Sequence, residues 1–254
     1  MIYQELLNDK ITIAEAEEIQ IKYAKIVREK ESNLRNFGLS VFENIERVVG
    51  VDVSYYQKGN LEFGVASAIL WDLKKGEIIY KDYINGGVNF PYIAGFLGFR
   101  EIRLLTQVLL KLSKNTKLPD VVMCDGHGII HPRRFGEALH LGLSTHFPTF
   151  GVAKNPYVGY ADLNKLGKNK GDKVTVVSEH PDLQQNSTAE VLGYAIRLNN
   201  NAKPVYVSKG YRITLDLAVK IALEATLDHR LPEPLYLADK FSREKVKEIQ
   251  SEEL

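Results

Sequence analysis

The sequence predicts an α/β fold in which one mixed β-sheet is flanked by helices. Two observations support this fold class. Three β-branched or aromatic segments lie close together between residues 47 and 83, and the short turns between them favour antiparallel pairing. From residue 95 onward, segments with helical apolar spacing alternate with short apolar segments. Helical crossovers of this kind favour parallel pairing of the strands that they connect.

The first element is a helix predicted over about residues 12–37. Thr12 and Glu15 have the spacing of a capping box, in which a hydroxyl and a carboxylate satisfy free amides of the first turn. Ile19 and Tyr23 then recur at helical spacing. One face of this helix is therefore expected to pack against the rest of the protein.

An antiparallel meander is predicted to follow, with strands over residues 47–55, 61–73 and 77–83. Each segment is rich in β-branched or aromatic residues, which favour strands. The sequence Lys74-Lys75-Gly76 lies between the second and third strands and suits a short hairpin turn.

The remaining segments alternate between helices and strands. Helices are expected over residues 95–112, 135–146 and 214–227, and strands over residues 119–124, 148–153, 174–177, 191–195 and 205–208. A meander followed by helix, strand, helix and strand is the element order of a ribonuclease-H-like sheet. A Gly/Lys-rich loop over residues 165–173 either follows a phosphate backbone or is a solvated turn, and the sequence does not separate the two.

A single domain is expected to span residues 1–254, because no internal repeat and no Pro/Ser-rich linker divides the chain. Its last segment, about residues 241–254, is expected to be a flexible C-terminal tail. The formal net charge of +1 neither supports nor excludes nucleic-acid binding, because a binder needs only a locally basic face.

The cysteine count and the apolar runs bear on the compartment. The single cysteine, Cys124, excludes a disulfide or a cysteine-based zinc cluster within the chain and favours a reducing environment. The first residues carry acids and amides where a signal peptide has a basic start and an apolar run. No segment approaches the roughly 20 apolar residues of a membrane span. We therefore expect a cytoplasmic protein that does not bind membranes.

Asp52 interrupts an otherwise apolar predicted strand. An ionised carboxylate in such a strand costs several kcal/mol unless it is paired or binds a metal. Two other interpretations stay open at this level. Side-chain alternation could place Asp52 on a solvated face, or an arginine could pair with it.

Asp125 ends a second apolar strand, directly before Gly126 and Gly128. Loops beyond the carboxyl ends of parallel strands are where α/β sheets gather ligands, and glycines let the backbone approach a substrate closely. Asp-Gly is also an ordinary turn signal. The nearby His131, Arg133 and Arg134 favour a functional interpretation, because an acid, an imidazole and two guanidinium groups would then share one loop.

Glu101 lies on a predicted helix, where a glutamate is ordinarily solvated. Its significance comes from its combination with Asp52 and Asp125, because hard Mg²⁺ prefers a few carboxylates, retained waters and phosphate oxygens. Lys154, at the end of a short strand, is suited to stabilise charge on an attacked phosphate, although it could equally be an ordinary exposed lysine. These residues together predict a magnesium-dependent nuclease.

Five ordered segments resemble the endonuclease V family, and the resemblance spans about Thr12 to Lys240. The matching segments are GVDVSY (50–55), PYIAGFL with FRE (91–101), DGHG with HPRRFG (125–136), GVAK (151–154) and HRLPEP (229–234). Five blocks in order are far more specific than any one of them alone.

The resemblance implies a ribonuclease-H-like fold and an endonuclease of DNA repair. The implied reaction is hydrolysis of the second phosphodiester bond 3′ to a deaminated purine, chiefly inosine or deoxyinosine, with Mg²⁺ or Mn²⁺. The products would carry 3′-hydroxyl and 5′-phosphate ends. Carried over to this sequence, Asp52, Glu101 and Asp125 serve the metal, while His131 and Lys154 contact or polarise the phosphate region.

The resemblance also assigns residues to the lesion. Tyr92 would wedge into the gap left by the extruded base, since an aromatic ring can replace lost stacking and a weakly paired lesion is easily flipped. The residues implied to contact the substrate are Pro91, Tyr92, Ile93, Gly95, Leu97, Gly126, Gly128 and Arg133. The small residues among them would leave backbone groups free to read hypoxanthine.

Two positions depart from the family pattern. Ala94 stands where the wedge usually ends in proline, so this loop is expected to be less rigid. Tyr211 stands where the family often has a histidine near the metal, and a neutral phenol is a poor metal ligand. Tyr211 therefore predicts weaker metal dependence or slower cleavage, with the fold retained.

Three functions are compared at this level. The leading hypothesis is a monomeric repair endonuclease that acts on DNA containing deoxyinosine. An inosine-specific endoribonuclease acting on RNA is the enzymatic alternative, because no motif reports contacts to a 2′-hydroxyl group. The non-enzymatic alternative, motivated by Tyr211, is a lesion-binding protein with weakened catalysis.

Overall fold

The computed structural model describes residues 4–33, 41–180 and 189–252. One sheet contains the strands β1 (Arg47–Lys58), β2 (Leu61–Asp72), β3 (Glu77–Gly87), β4 (Val121–Cys124), β5 (Thr149–Ala153), β6 (Lys173–Val177), β7 (Val191–Ile196) and β8 (Val205–Tyr211). Their order across the sheet is β3-β2-β1-β4-β5-β8-β7-β6. Every segment that the sequence predicts to be a strand is one.

Helices flank this sheet. They are α1 (Ile13–Asn33), α2 (Leu97–Asn115), α3 (Glu137–Thr145), α4 (Leu215–Glu224) and α5 (Glu233–Glu252). The predicted end of the first helix, residues 34–37, lies outside the described residues. Residues 241–252, predicted to belong to a flexible tail, form the second half of α5, and their flexibility stays a prediction. Among the residues described, no helix is both long and apolar enough to cross a bilayer.

The pairing of the strands confirms the predicted mixed, ribonuclease-H-like sheet. β1 pairs with β2 and β2 with β3 in antiparallel orientation, which is the predicted meander. β1 pairs with β4 and β4 with β5 in parallel orientation, across the helical crossovers α2 and α3. The sequence analysis predicted parallel pairing after the meander, but the pairs β5-β8, β8-β7 and β7-β6 are all antiparallel.

The central strands are buried on both faces, which explains their nearly continuous apolar sequence. Val48 and Val121 lie in a core cluster with α4 and the start of α5, whereas Val49 and Val122 lie in a second cluster with α2 and α3. Neighbouring residues of one strand thus face opposite layers, as side-chain alternation requires. Asp52 follows this alternation on the α5 side, where it contacts Ser242.

Gly50 lets α5 cross close to β1. A Cβ atom at position 50 would lie 2.3 Å from the backbone carbonyl carbon of Pro234, so a larger residue there would force the helix and the strand apart. The close crossing brings Asp239 and Ser242 of α5 beside Asp52, two residues further along β1.

Candidate active site

Three adjacent parallel strands bring two carboxylates and an ammonium group together: Asp52 lies within β1, just after its pairing with β4 ends, and Asp125 and Lys154 follow the ends of β4 and β5. Val51 of β1 is in register with Cys124 of β4, and β4 is in turn paired with β5. Asp52 and Asp125 directly follow the two paired residues, and Lys154 directly follows β5. Strand register therefore brings together residues that are far apart in the chain.

The Asp52 carboxylate is largely enclosed by α5. Ser242, itself buried, donates a hydrogen bond from Oγ to Oδ2 of Asp52 at 2.9 Å. Burial, with the negative charges of Asp125 and Asp239, raises the pKa of Asp52 to about 6, although the Ser242 hydrogen bond opposes the shift. This environment contradicts the alternative of a solvated face.

Asp125 and Lys154 form an ion pair beside Asp52. The Nζ atom of Lys154 lies 2.5 Å from Oδ2 of Asp125. Arg230 donates hydrogen bonds to the carbonyl oxygens of Lys154 and Pro204, and so ties the end of β5 to the start of β8. Lys154 is thereby held through both its backbone and its side chain.

Glu101 reaches the same region from α2, which covers the other face of the sheet. The hydroxyl of Tyr55 donates a hydrogen bond to Oε1 of Glu101 at 2.5 Å. Burial is the main cause that raises the pKa of Glu101 to about 7; the charge of Asp52 adds to the shift and the Tyr55 hydrogen bond opposes it. The carboxyl of Glu101 therefore interacts electrostatically with the carboxylates of Asp52 and Asp125.

A fourth carboxyl, Glu137, lies in this region and was not predicted as a site residue. It is the first residue of α3 and is only 5% exposed. Burial and the neighbouring charge of Glu101 raise the pKa of Glu137 well above its ordinary value. A signal was available in the sequence, because Glu137 begins a helix whose other residues are mostly apolar, and a fully buried acid is rare.

The donor atoms fit a hard divalent cation by their chemistry. Across the described residues, no three Asp, Glu, His or Cys side chains already converge as ligands of one ion; Lys154 occupies one side of Asp125 instead. The carboxyls of Asp52 and Glu101 are enclosed and repel each other, and a cation would relieve that repulsion. Mg²⁺ needs only one or two carboxylates, with waters and phosphate oxygens as its other ligands.

A cleft of about 420 Å³ opens beside these groups. Its walls come from residues 92–97, from the segment 125–137 that follows β4, and from residues 153–157 after β5. The predicted site residues that line it are Tyr92, Ile93, Gly95, Leu97, Asp125, Gly126, His131 and Lys154, with Ala94 beside them. The side chain of Tyr92 is 79% exposed, so its ring is accessible to a ligand.

Two other predicted substrate residues lie elsewhere. Gly128 packs against β8, where an added Cβ atom would lie 2.0 Å from the carbonyl oxygen of Lys209. Its amide donates a hydrogen bond to Oγ of Ser208 at 2.8 Å. Close packing therefore accounts for this glycine, and the prediction that it lines a lesion pocket is corrected. Pro91 is exposed and precedes the part of its loop that lines the cleft.

Arg133 and Gln20 connect the wedge loop, defined here as residues 91–95, to α1. Nε2 of Gln20 donates a hydrogen bond to the carbonyl oxygen of Gly95 at 2.8 Å, and its Oε1 accepts one from Nε of Arg133 at 2.6 Å. Arg133 also pairs with Glu17 at 3.1 Å. The guanidinium predicted to contact substrate is thus engaged with α1.

His131 supports the same loop. Its Nε2 lies 2.9 Å from the carbonyl oxygen of Gly95, and its Nδ1 accepts a hydrogen bond from the amide of Arg133 at 3.2 Å. Burial lowers the pKa of His131 to about 4, and the charge of Arg133 contributes. A neutral imidazole with both nitrogens engaged positions the wedge loop, which differs from the predicted contact with phosphate.

Tyr211, predicted to stand near the metal, lies in the core. Its side chain is 7% exposed, in an apolar cluster with Tyr23, Phe135 and Leu139 under α1 and α3. Tyr211 is not among the described residues that line the cleft. The prediction of Tyr211 beside the metal is corrected, because the last residue of β8 turns its side chain into this cluster.

Two aromatic residues of the cleft wall were also missed. The rings of His127 and Tyr157 stack with their centroids 6.3 Å apart, and Nε2 of His127 lies 3.0 Å from the carbonyl oxygen of Asn155. Burial lowers the pKa of His127 to about 4. His127 lies within the DGHG segment, whereas only proximity to Lys154 in the chain could have pointed to Tyr157.

Comparisons with known proteins agree on one family. The family model described as Endonuclease V matches residues 28–240. Endonuclease V of Gloeobacter violaceus is 38% identical over 200 residues, which cover 79% of this chain and 76% of the relative.

Solved structures give the same result. The crystal structure of endonuclease V from Streptomyces avermitilis has a TM-score of 0.77 at 33% identity, covering 94% of this chain and 95% of that one. The endonuclease V of Ciona intestinalis was solved in complex with a 24mer DNA containing an inosine followed by a ribo-adenosine. Its TM-score is 0.75 at 30% identity, covering 93% of this chain and 98% of that one.

The matched range contains all eight strands and the residues of the strand edge. Both the sequence identity and the structural similarity to endonuclease V proteins extend over most of the chain. The chain therefore belongs to the endonuclease V family, whose members are nucleases that hydrolyse phosphodiester bonds.

Proposed function

We propose that this chain is a divalent-metal-dependent endonuclease of DNA repair that cleaves the second phosphodiester bond 3′ to deoxyinosine. The products would carry 3′-hydroxyl and 5′-phosphate ends. The observation that carries the proposal is the convergence of Asp52, Asp125 and Lys154 at one strand edge, beside a cleft whose rim bears the exposed Tyr92. The inosine-containing DNA bound to the Ciona relative supports the substrate class.

Asp52, Glu101 and Asp125 would hold Mg²⁺ or Mn²⁺. When bound, such a cation supplies Lewis-acid charge that stabilises the phosphate oxygens in the transition state. The three carboxyls belong to β1, to α2 and to the residue after β4, so rigid elements on both faces of the sheet hold their backbones. A site built on such elements is positioned more accurately than one built on loops alone.

Lys154 stabilises the negative charge that develops on the attacked phosphate. Its ammonium group already lies at the strand edge, 2.5 Å from Asp125, and its backbone carbonyl is held by Arg230. A preorganised donor of this kind contributes roughly 100- to 1,000-fold to the rate.

Tyr92 enters the gap left by the extruded base, and hypoxanthine lies in the cleft against Gly95, Leu97 and Gly126. Gly95 has a φ of +86°, a conformation that favours glycine, and a Cβ atom there would lie 2.8 Å from the hydroxyl of Tyr157. The glycine therefore lets the wedge loop approach the opposite wall, which suits a flat purine ring.

The test is cleavage of an end-labelled DNA oligonucleotide with one deoxyinosine in the presence of Mg²⁺. The wild type is expected to make a single nick one nucleotide beyond the lesion, and Asp52→Ala is expected to bind without cutting. The same oligonucleotide with deoxyadenosine at that position is the substrate control. Absence of any nick by the wild type with either Mg²⁺ or Mn²⁺ would contradict the proposal.

An inosine-specific endoribonuclease is the second candidate. The strand bound to the Ciona relative carries a ribonucleotide directly after the inosine, which favours a 2′-hydroxyl at that position. DNA, RNA and DNA with one ribonucleotide after the inosine, compared at equal concentrations, distinguish the two activities. Faster cleavage of both ribonucleotide-containing strands would favour the ribonuclease. The lesion-binding alternative loses its motive, because Tyr211 lies in the core.

A further inference from the structure

Arg100, the residue before Glu101 in α2, has a buried guanidinium group. Its side chain is only 3% exposed. Nη1 donates a hydrogen bond to the carbonyl oxygen of Phe90, directly before the wedge loop, at 2.7 Å, and Nη2 donates one to Oε2 of Glu62 at 2.8 Å. A buried charge is costly unless it is paired, and these two partners hold the planar guanidinium group in place.

Two tyrosine rings contact this guanidinium group. Its Cζ atom lies 4.7 Å from the centroid of the Tyr55 ring and 5.6 Å from the centroid of the Tyr92 ring. A guanidinium group is attracted to the face of an aromatic ring within about 6 Å. Tyr92 is the residue that the proposed function places in the gap left by the extruded base. Its exposed ring is therefore in contact with a cation that the fold holds in place.

Tyr55 extends these contacts to the acids of the site. Its ring contacts Arg100, whereas its hydroxyl donates the 2.5 Å hydrogen bond to Oε1 of Glu101. The side chains of Tyr92, Arg100, Tyr55 and Glu101 thus form a continuous series of contacts, named here the wedge–acid chain. It begins at the exposed rim of the cleft and ends at a buried carboxyl.

The two middle members of the wedge–acid chain are remote from the substrate. Neither Arg100 nor Tyr55 is among the described residues that line the cleft. An effect of either residue on the reaction therefore has to pass through its neighbours, Tyr92 at one end and Glu101 at the other. Energetic coupling between two sites is carried by packed side chains and hydrogen bonds of this kind.

We propose that Arg100 and Tyr55 are positioning residues that couple the entry of Tyr92 into the nucleic acid to the orientation of Glu101. Bases that stack on Tyr92 fix its ring, which then restricts the guanidinium group and the Tyr55 ring packed against it. The Tyr55 hydroxyl in turn orients Glu101 for the cleavage step. This proposal rests on the proposed function, because it requires Tyr92 to act as the wedge and Glu101 to serve the reaction.

A competing explanation is that Arg100 only ties α2 to β2 and to the loop at Phe90. Tyr55 and Tyr92 would then affect cleavage independently, and a double-mutant cycle distinguishes the two explanations. The measurement is single-turnover cleavage of the deoxyinosine oligonucleotide at saturating protein, with DNA affinity measured separately by fluorescence anisotropy. The rate reports on the cleavage step, and the affinity reports on binding.

Tyr55→Phe keeps the ring and removes only the hydroxyl. It is expected to slow cleavage about tenfold, the usual worth of one hydrogen bond, and to leave DNA affinity unchanged. In a Tyr92→Ala background, the same substitution is expected to slow cleavage by less than about twofold, because the wedge no longer acts on Glu101. Tyr92→Leu, which has no aromatic face, replaces Tyr92→Ala if the latter cuts too slowly to measure.

Arg100→Lys tests the link between the two tyrosines. Lysine keeps the charge but lacks the planar group that stacks on aromatic rings. In this background, the effects of Tyr55→Phe and Tyr92→Ala on the cleavage rate are expected to multiply, as they do for independent residues. Thermal unfolding in EDTA checks that each variant is folded.

The matched control is Tyr56→Phe. Tyr56 is the next residue of β1 and is also buried, but its hydroxyl accepts a hydrogen bond from Nδ2 of Asn85 at 2.9 Å. This substitution also removes a bonded hydroxyl from a tyrosine of the same strand, away from Glu101. The cleavage rate is expected to be unchanged, with Tyr92 present or absent.

The outcomes separate this inference from the proposed function. An equal effect of Tyr55→Phe with and without Tyr92, or no effect on the rate, would overturn the coupling and leave the proposed function intact. A loss of DNA affinity as large as the loss of rate would show a merely structural role for Tyr55 and would also overturn it. A wild type that does not cut with Mg²⁺ or Mn²⁺ would contradict the proposed function and, with it, this inference.

Discussion

The two sides of the candidate site are built in opposite ways. On the acid side, the pKa values of Asp52, Glu101 and Glu137 are raised by burial and by the charges of neighbouring carboxylates. On the wedge side, the carbonyl oxygen of Gly95 is hydrogen-bonded by the side chain of Gln20 and lies 2.9 Å from a ring nitrogen of His131. Neighbouring carboxylates repel one another on the acid side, whereas hydrogen bonds hold the loop on the wedge side.

This difference relates each side to its task. Buried like charges lower the stability of the free protein and favour the binding of a cation. A loop that is already hydrogen-bonded loses less conformational freedom when a ligand binds. Substitutions on the two sides should therefore change stability in opposite directions, and the following predictions test that contrast from the largest expected effect to the smallest.

Lys154→Ala is expected to reduce the rate of cleavage by roughly 100- to 1,000-fold, because it removes the ammonium group that stabilises the phosphate. The measurement is single-turnover cleavage of the deoxyinosine oligonucleotide. Lys75→Ala is the control, since Lys75 is an exposed lysine of the β2–β3 turn, paired with Glu77 at 3.6 Å. An unchanged rate in Lys154→Ala would show that Lys154 only neutralises Asp125.

Asp52→Asn is expected to stabilise the metal-free protein by up to about 3 kcal/mol at pH 8. The folded pKa of about 6 lies above the ordinary value of 3.8, and each pKa unit corresponds to about 1.4 kcal/mol. The native state therefore binds the proton more tightly, so this group lowers stability as pH rises from about 4 through 6. At pH 4 or below, the gain from the substitution should disappear.

Urea unfolding in EDTA at the two pH values measures this gain. Asp120→Asn is the opposite control, because Asp120 accepts hydrogen bonds from the amide and the guanidinium of Arg47, at 2.8 and 2.9 Å. It is expected to destabilise the protein at pH 8. A loss of stability in Asp52→Asn would contradict the view that the acid side is repulsive.

Gln20→Ala is expected to destabilise the protein by about 1–3 kcal/mol, because it removes one hydrogen bond to the Gly95 carbonyl oxygen and the one accepted from Nε of Arg133. Binding of inosine-containing DNA should weaken, while binding of Mn²⁺ should not change. Fluorescence anisotropy with a labelled oligonucleotide measures the first quantity. Gln57→Ala, at the exposed end of β1, is the control and should leave both unchanged. Equal losses of DNA and Mn²⁺ binding would mean that the two sides are not independent.

Tyr211→His is expected to gain neither Mn²⁺ affinity nor cleavage rate, because position 211 faces the cluster under α1 and α3. A loss of stability of about 1 kcal/mol is expected, since imidazole fills the apolar site less well than a phenol. Mn²⁺ titration and urea unfolding measure the two effects. A gain in metal affinity would restore the view that this position stands beside the metal.

The strands and their ends were predictable because their signals are local. Alternation, β-branched residues and turn sequences identify each strand, and the parallel register then requires that Asp52, Asp125 and Lys154 share an edge. Glu101 was predicted because it could complete a magnesium site with Asp52 and Asp125, and the resemblance to the endonuclease V family added Tyr92. The antiparallel pairing of β5 to β8 has no comparable local signal, because the direction in which two strands pair depends on the path of the chain that connects them.

The supporting residues were missed because their partners are remote in the chain. Gln20 contacts Gly95, which is 75 residues away, and Ser242 contacts Asp52 across 190 residues. No spacing rule connects such pairs. The phosphate contact of His131 was implied by the resemblance to the family, whereas the tertiary structure engages both of its ring nitrogens.

The sequence by itself determined the α/β class, the strands, the family and the acids of the strand edge, because these depend on local patterns and on ordered motifs. Only the tertiary structure decided that Tyr211 lies in the core, that Glu137 joins the acids, and that α1 braces the wedge loop. The physical reason is that burial and charge repulsion are properties of side chains brought together by packing. They appear only when helices from distant parts of the chain close over the sheet.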